Sequence, residues 1–149
     1  GWAIAQRDIT SAIRKVHDFL TVGAARPFHE AGVAAMGMPQ SYYDELTQVY
    51  ANARESIYED LVSAGFKGEK PQGAYYIMCE NDQLMGALGA KDDHEFARGL
   101  IRVAGIASVP GSSFYSSADK GINQLRFCFS KSGATLEQAR QCFRKMAQM

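Results

Sequence analysis

A chain of 149 residues is long enough for one domain with a proper core and too short for two comfortable ones. Its 16 basic and 16 acidic side chains cancel, and no block of like charge stands out, so nothing points to nucleic acid or an anionic membrane surface. No apolar run reaches bilayer length, so a protein working away from membranes is expected.

The chain starts with Gly1 inside an apolar segment, Gly1–Ala5, that reads as a short strand. Such a start is expected of a piece cut from a longer polypeptide. Asp8 or Thr10 can cap a helix that carries Ile9, Ile13, Val16 and Leu20 on one face. Residues 21–27 break it, and Pro27 can open a second helix running to about Met36. That helix is rich in small residues (Ala31, Gly32, Ala34, Ala35) and is expected to pack closely on a neighbour. Pro39 ends it, and Ser41-Tyr42-Tyr43-Asp44 resembles a capping box. A long helix follows, with Tyr42, Leu46, Val49, Ala53, Ile57, Leu61 and Ala64 in register and Gly65 as its left-handed terminator.

After a polar loop, Ala74–Cys79 is a continuous apolar run expected to be a strand buried on both faces. Residues 81–91 read as a loop. Asp92 or Asp93 caps a helix through Phe96, Leu100, Ile101 and Val103, closed by Gly105. Ile106–Val109 is a short strand before Pro110-Gly111. The next strand, Leu125–Ser130, alternates Leu125, Phe127 and Phe129 with Arg126, Cys128 and Ser130. Thr135-Leu136-Glu137-Gln138 then reads as a capping box for a last helix with Leu136, Ala139, Phe143 and Met146 inward. The expected fold is α/β (α+β), a small sheet of about three strands covered by helices.

Chemistry is sparse. There is no G-x-S-x-G, phosphate-binding loop or H-E-x-x-H, and His17, His29 and His94 sit in separate polar contexts. No catalytic, cofactor-binding or metal-binding residue is expected in this chain. All seven lysines fall at polar or loop positions, whereas a Schiff-base lysine needs a desolvated pocket. Cys79, Cys128 and Cys142 are widely spaced and read as reduced core thiols of a cytoplasmic protein. What remains is Arg126. A period of two puts it on the face opposite Leu125, Phe127 and Phe129, in the middle of a core-like strand. A permanently charged guanidinium there needs an internal acid, a path to solvent, or an anionic ligand. On the strand alone the first two are the commoner outcomes.

The residues P-x-G-A-Y-Y (Pro71–Tyr76), V-P-G-S-S-F (Val109–Phe114), Gly121, L-R-F-C-F (Leu125–Phe129) and T-L-x-x-A (Thr135–Ala139) resemble the carboxy-terminal domain of class I/II, fold-type I aminotransferases dependent on pyridoxal phosphate. Upstream, Gly1–Ala5 and Ile9–Val22 look like the segment just after that family's cofactor lysine. The match runs through nearly the whole chain in the family's order and spacing. The wording is similar to the aspartate, aromatic and kynurenine branches.

The resemblance implies that Arg126 binds the α-carboxylate of the amino-acid substrate and that Phe114 lies near it. It implies that residues 1–149 are one small C-terminal domain with a helical linker over 9–64. The large cofactor-binding domain and the Schiff-base lysine would then lie before Gly1, and these residues alone would be inactive. The parent enzyme would be a homodimer using pyridoxal phosphate to move an amino group between an amino acid and a 2-oxo acid. Two other readings stay open: a free-standing, non-catalytic binding domain, and a pyridoxal-phosphate lyase of the same fold.

Overall fold

The computed structural model describes residues 1–117 and 119–147. They fall into two compact units, Gly1–Asp44 and Glu45–Met149.

In the first unit, residues 1–6 have no regular structure, so the expected strand at Gly1–Ala5 is not formed. Its pattern was apolar enough, but a strand needs a partner for its backbone groups. Helix α1 (Arg7–Thr21) begins after Gln6, whose side chain makes no cap. Asp8 and Thr10 lie inside the helix and are not its cap. Thr10 Oγ1 instead donates back to the Ala5 carbonyl at 3.0 Å, and Asp8 in the first turn complements the helix dipole. Helix α2 (Arg26–Met36) has Pro27 in its first turn, where a missing N–H costs nothing. Among its small residues, a Cβ on Gly32 would meet nothing within 4 Å.

Helix α3 (Gln40–Ser63) starts directly after Pro39, whose carbonyl accepts the Tyr42 N–H at 3.0 Å. Ser41 is therefore a helical residue, not a cap. In the second unit α3 ends as its sequence predicts. Gly65 has φ +83°. Its N–H donates to Val62 O at 3.0 Å and the Phe66 N–H to Leu61 O at 3.0 Å. This paired closure brings Phe66 back onto Leu61, and both are buried.

Three strands form one antiparallel sheet in the order β1-β3-β2, with β1 Tyr76–Glu80, β2 Val109–Pro110 and β3 Gln124–Cys128. β1 is later and more one-sided than expected, because Ile77 and Cys79 are buried while Tyr76, Met78 and Glu80 are half-buried. Strand β2 is only two residues long, and Pro110, lacking an N–H, stops its ladder. The register sets Met78 and Val109 on either side of Arg126, and Ile77 opposite Phe127.

One face of the sheet is packed. Ile57 and Leu61 of α3, Phe96 and Leu100 of α5 (Asp93–Ala104), and Phe143 and Met146 of α6 (Gly133–Met146) close over Ile77, Leu125 and Phe127. Phe66 is the hub, its ring 5.3 Å from Phe127, 6.3 Å from Phe143 and 6.2 Å from Phe96. Each such buried ring contributes about 1.5–3 kcal/mol.

Two local expectations are corrected. Residues 81–91 are not all loop: α4 (Asp82–Ala87) forms there, with Asn81 Oδ1 accepting the Leu84 N–H at 2.9 Å. Helix α6 starts one half-turn earlier than the Thr135 box. Ser132 is the cap, its Oγ accepting the Thr135 N–H at 3.3 Å. Helix α5 matches expectation at both ends, with Asp92 Oδ1 accepting the Glu95 N–H and Gly105 at φ +68°.

Candidate functional site

The packed face of the sheet follows from odd-numbered residues of β3, which leaves Arg126 to the other face. Because β3 is the central strand, Arg126 sits mid-sheet, flanked by β1 and β2 rather than at an edge. Two aromatic rings bracket its guanidinium. Tyr76, a diagonal neighbour on β1, lies 5.1 Å from Cζ to ring centroid, and Phe114 lies 4.7 Å away. Rings at these distances attract the cation through their quadrupole without neutralising it.

No described carboxylate pairs with Arg126, since the ion pairs are made by Arg26, Arg54, Lys70 and Arg140. Its Nε is buried and has no hydrogen-bond partner. An internal acid therefore does not account for this charge. What the bracket can do chemically is hold a planar, forked cation ready for an anion.

Phe114 is delivered by a single 3₁₀ turn, Gly111–Phe114, that follows Pro110. Glycine is required on both sides of it. A Cβ at Gly111 would sit 2.6 Å from Gln124 Cβ and 2.7 Å from the carbonyl oxygens of Gln124 and Gly121. Gly121 has φ +71° and lies against the Tyr115 ring. Tyr115 OH donates to Gln124 Oε1 at 2.9 Å, and the Asp93 carboxylate accepts the Ser112 N–H at 2.7 Å.

Arg126 and Phe114, the two predicted site residues, are thus brought together. The sequence alone does not single out Tyr76, the second ring over Arg126, or Asp93, the acceptor for the turn's Ser112 N–H. Tyr76 stands in the P-x-G-A-Y-Y motif, and its signal was parity: it shares a face with Met78, the residue opposite Arg126. Asp93 was read with Asp92 as a cap.

Elsewhere, hydrogen bonds from Lys70 and Arg54 hold the Glu55 carboxyl below its ordinary range. Burial, with a smaller push from the charge of Glu80, drives the Cys79 thiol up to about 12. No helix among the described residues is long and apolar enough to cross a membrane.

The class of protein these elements define is a mixed α/β module whose sheet carries, opposite its packed face, an arginine bracketed by two rings and without an acid partner among the described residues. The family model for aminotransferase class I and II matches residues 1–143, and the chain belongs to that family. It is 32% identical to a kynurenine–oxoglutarate transaminase of Dictyostelium discoideum over 93% of this chain and 36% of that protein. An aspartate aminotransferase of Bacillus sp. (strain YM-2) is 30% identical over 76% of this chain and 29% of its own length. Among solved structures, N-succinyldiaminopimelate aminotransferase from Mycobacterium tuberculosis superimposes with a TM-score of 0.79 at 25% identity, over 98% of this chain and 37% of that one. An Escherichia coli protein with a methionine aminotransferase function gives 0.75 at 26% identity, over 95% and 36%. The chain spans roughly a third of the relatives it matches.

The family implies pyridoxal phosphate. All seven lysines are exposed, and none has the desolvated surroundings a Schiff-base amine requires.

Proposed function

We propose that this chain is the substrate-carboxylate-binding, C-terminal part of a pyridoxal-phosphate-dependent aminotransferase, which moves an amino group between an amino acid and a 2-oxo acid. The observation that carries the reading is the Arg126 guanidinium, buried at Nε, without an acid partner and bracketed by Tyr76 and Phe114. Both the amino donor and the oxo acceptor carry a carboxylate next to the reacting carbon. Arg126 would hold that carboxylate through paired N–H donors in each half of the exchange. The rings limit the rotations open to the guanidinium, so less freedom is lost when the anion docks.

In this reading residues 1–149 act as one small domain, with residues 9–64 as a helical linker. The cofactor and the lysine that carries it belong to other residues of a homodimeric parent. These 149 residues alone are then inactive. Coverage of only about a third of the relatives, and the exposure of every lysine here, support that division. The three free cysteines fit a reducing compartment such as the cytoplasm. A stoichiometric, saturable absorbance change on adding pyridoxal phosphate to these residues would argue against the division.

The test of the grip is Arg126→Lys and Arg126→Met in the full-length parent. Each charge-assisted hydrogen bond lost costs about 1.5–3 kcal/mol. Lysine keeps the charge but loses the fork, so kcat/KM for amino acids should fall about 10-fold or more, and methionine about 100-fold or more. An unchanged kcat/KM in Arg126→Met would sink the assignment.

A further inference from the structure

Asp93 is 1% exposed. It is the first residue of α5, yet Asp92 does the capping. Among the described residues no cation pairs with it. A buried carboxylate is costly without compensation. Here the positive end of the α5 dipole and one short hydrogen bond, Asp93 Oδ2 from the Ser112 N–H at 2.7 Å, offset that cost.

The bond falls at a telling place. Ser112 is the second residue of the Gly111–Phe114 turn, so its N–H lies in a first turn that offers it no acceptor of its own. Without Asp93 this donor would be left unpaired in a half-buried position. Two residues further on, Phe114 stands over the Arg126 guanidinium. Other restraints hold the turn against Gln124 and Gly121, through the close approach of Gly111 to both and the Tyr115–Gln124 hydrogen bond. The Asp93 bond ties the turn to α5 two residues before Phe114.

We propose that Asp93 is a positioning residue for carboxylate binding. Through the Ser112 N–H it holds Phe114 against Arg126 and so keeps the fork oriented toward the incoming anion. This inference rests on the carboxylate-grip reading above. It needs an acceptor at position 93 and not a negative charge, so Asp93→Asn should retain most of the effect and Asp93→Ala should lose it.

The experiment uses the full-length parent, with KM and kcat for the amino donor and inhibition by propanoate, a carboxylate without an amino group. In Asp93→Ala, KM and the propanoate inhibition constant should rise about 2- to 5-fold, the loss expected of one cation–ring contact, with kcat within 2-fold. In a Phe114→Ala background the same change should add almost nothing, because the contact it protects is already gone. Should Asp93→Ala not fold, Ser112→Pro removes the donor while leaving Asp93 intact. It should show the same rise, again absorbed by Phe114→Ala. Effects that add independently in the double variant, an Asn variant as weak as Ala, or a silent Ser112→Pro would each overturn the inference. Arg126→Met separates the two levels. If it leaves propanoate inhibition unchanged, the grip itself is wrong. If it abolishes inhibition while the Asp93 and Ser112 variants are silent, only the role of Asp93 falls.

Discussion

Gly111→Ala is the most direct perturbation of the scaffold under Arg126. The added methyl would sit 2.6 Å from Gln124 Cβ and 2.7 Å from two backbone oxygens, those of Gln124 and Gly121, where ordinary contact begins near 3.4 Å. Backbone on both sides leaves no flexible side-chain end to swing away. The turn must lift off β3. Forced overpacking of this kind costs about 1–3 kcal/mol. Lifting the turn also stretches the 2.7 Å bond from the Ser112 N–H to Asp93, and leaving this half-buried donor unpaired costs up to about 1–3 kcal/mol more. The expected destabilisation is therefore about 2–6 kcal/mol, read as a drop in the urea midpoint with the slope unchanged. Gly133→Ala is the control, since a Cβ there meets nothing within 4 Å and the site begins α6. It should be neutral or slightly stabilising. Carboxylate affinity should fall only in the Gly111 variant. A Gly111→Ala protein within about 0.5 kcal/mol of the parent and with unchanged affinity would refute the idea that this turn is sterically fixed.

Two further outcomes follow from buried groups. The Cys79 thiol, pushed by burial from 9.0 to about 12, should resist alkylation at pH 8–9 in the folded protein while Cys128 and Cys142 react, as mass mapping would show. Below pH 9 that thiol is neutral whether the chain is folded or not. Between 9.0 and about 12 only the unfolded chain releases the proton, so unfolding free energy should fall by about 1.4 kcal/mol per pH unit from this group. A flat stability profile over that window in the parent, matched by a Cys79→Ala variant, would contradict it. Asn81→Ala removes both the α4 cap and the donor that Asn81 Nδ2 gives to the Ala64 carbonyl at 3.1 Å. A loss of about 1.5–4 kcal/mol is expected, and a loss under 0.5 would show that water replaces both bonds.

The parts of this fold that were legible share a cause. Gly65 and Gly105 terminate helices by local backbone chemistry, and Leu125, Phe127 and Phe129 declare a packed face by parity alone. The parts that were not legible depend on residues far along the chain. Helix α4 has too few residues for an apolar period, and its cap is secured by a carbonyl 17 positions away. The Y-Y-I-M-C run read as doubly buried because nothing in it says that Tyr76 faces an arginine from another strand. The stripe Ile9, Ile13, Val16 was plain in the sequence, yet those side chains are 49%, 42% and 59% exposed. A periodic stripe specifies a face, not what covers it. The place of Arg126 on the face opposite the core was legible from parity, whereas the identity of the rings around it needed the sheet register.

The bracket also explains why the arginine is held by rings and not by an acid. A carboxylate beside Arg126 would satisfy it more strongly, through bonds of about 1.5–3 kcal/mol each. Under the proposed role it would also occupy the same fork that an incoming carboxylate needs, and every ligand would have to displace it. Cation–ring contacts contribute about 0.5–2 kcal/mol each and leave the N–H edge free. Tyr76 and Phe114 thus stabilise the folded arginine enough to fix its place while leaving its hydrogen-bonding capacity unspent. The same logic puts the restraint on the rings: β1 register places Tyr76, and the turn tied by Gly111, Gly121 and Asp93 places Phe114. On β3 the two jobs divide by parity. Leu125 and Phe127 anchor the strand in the core, so Arg126 between them has a rigid base from which to present its charge.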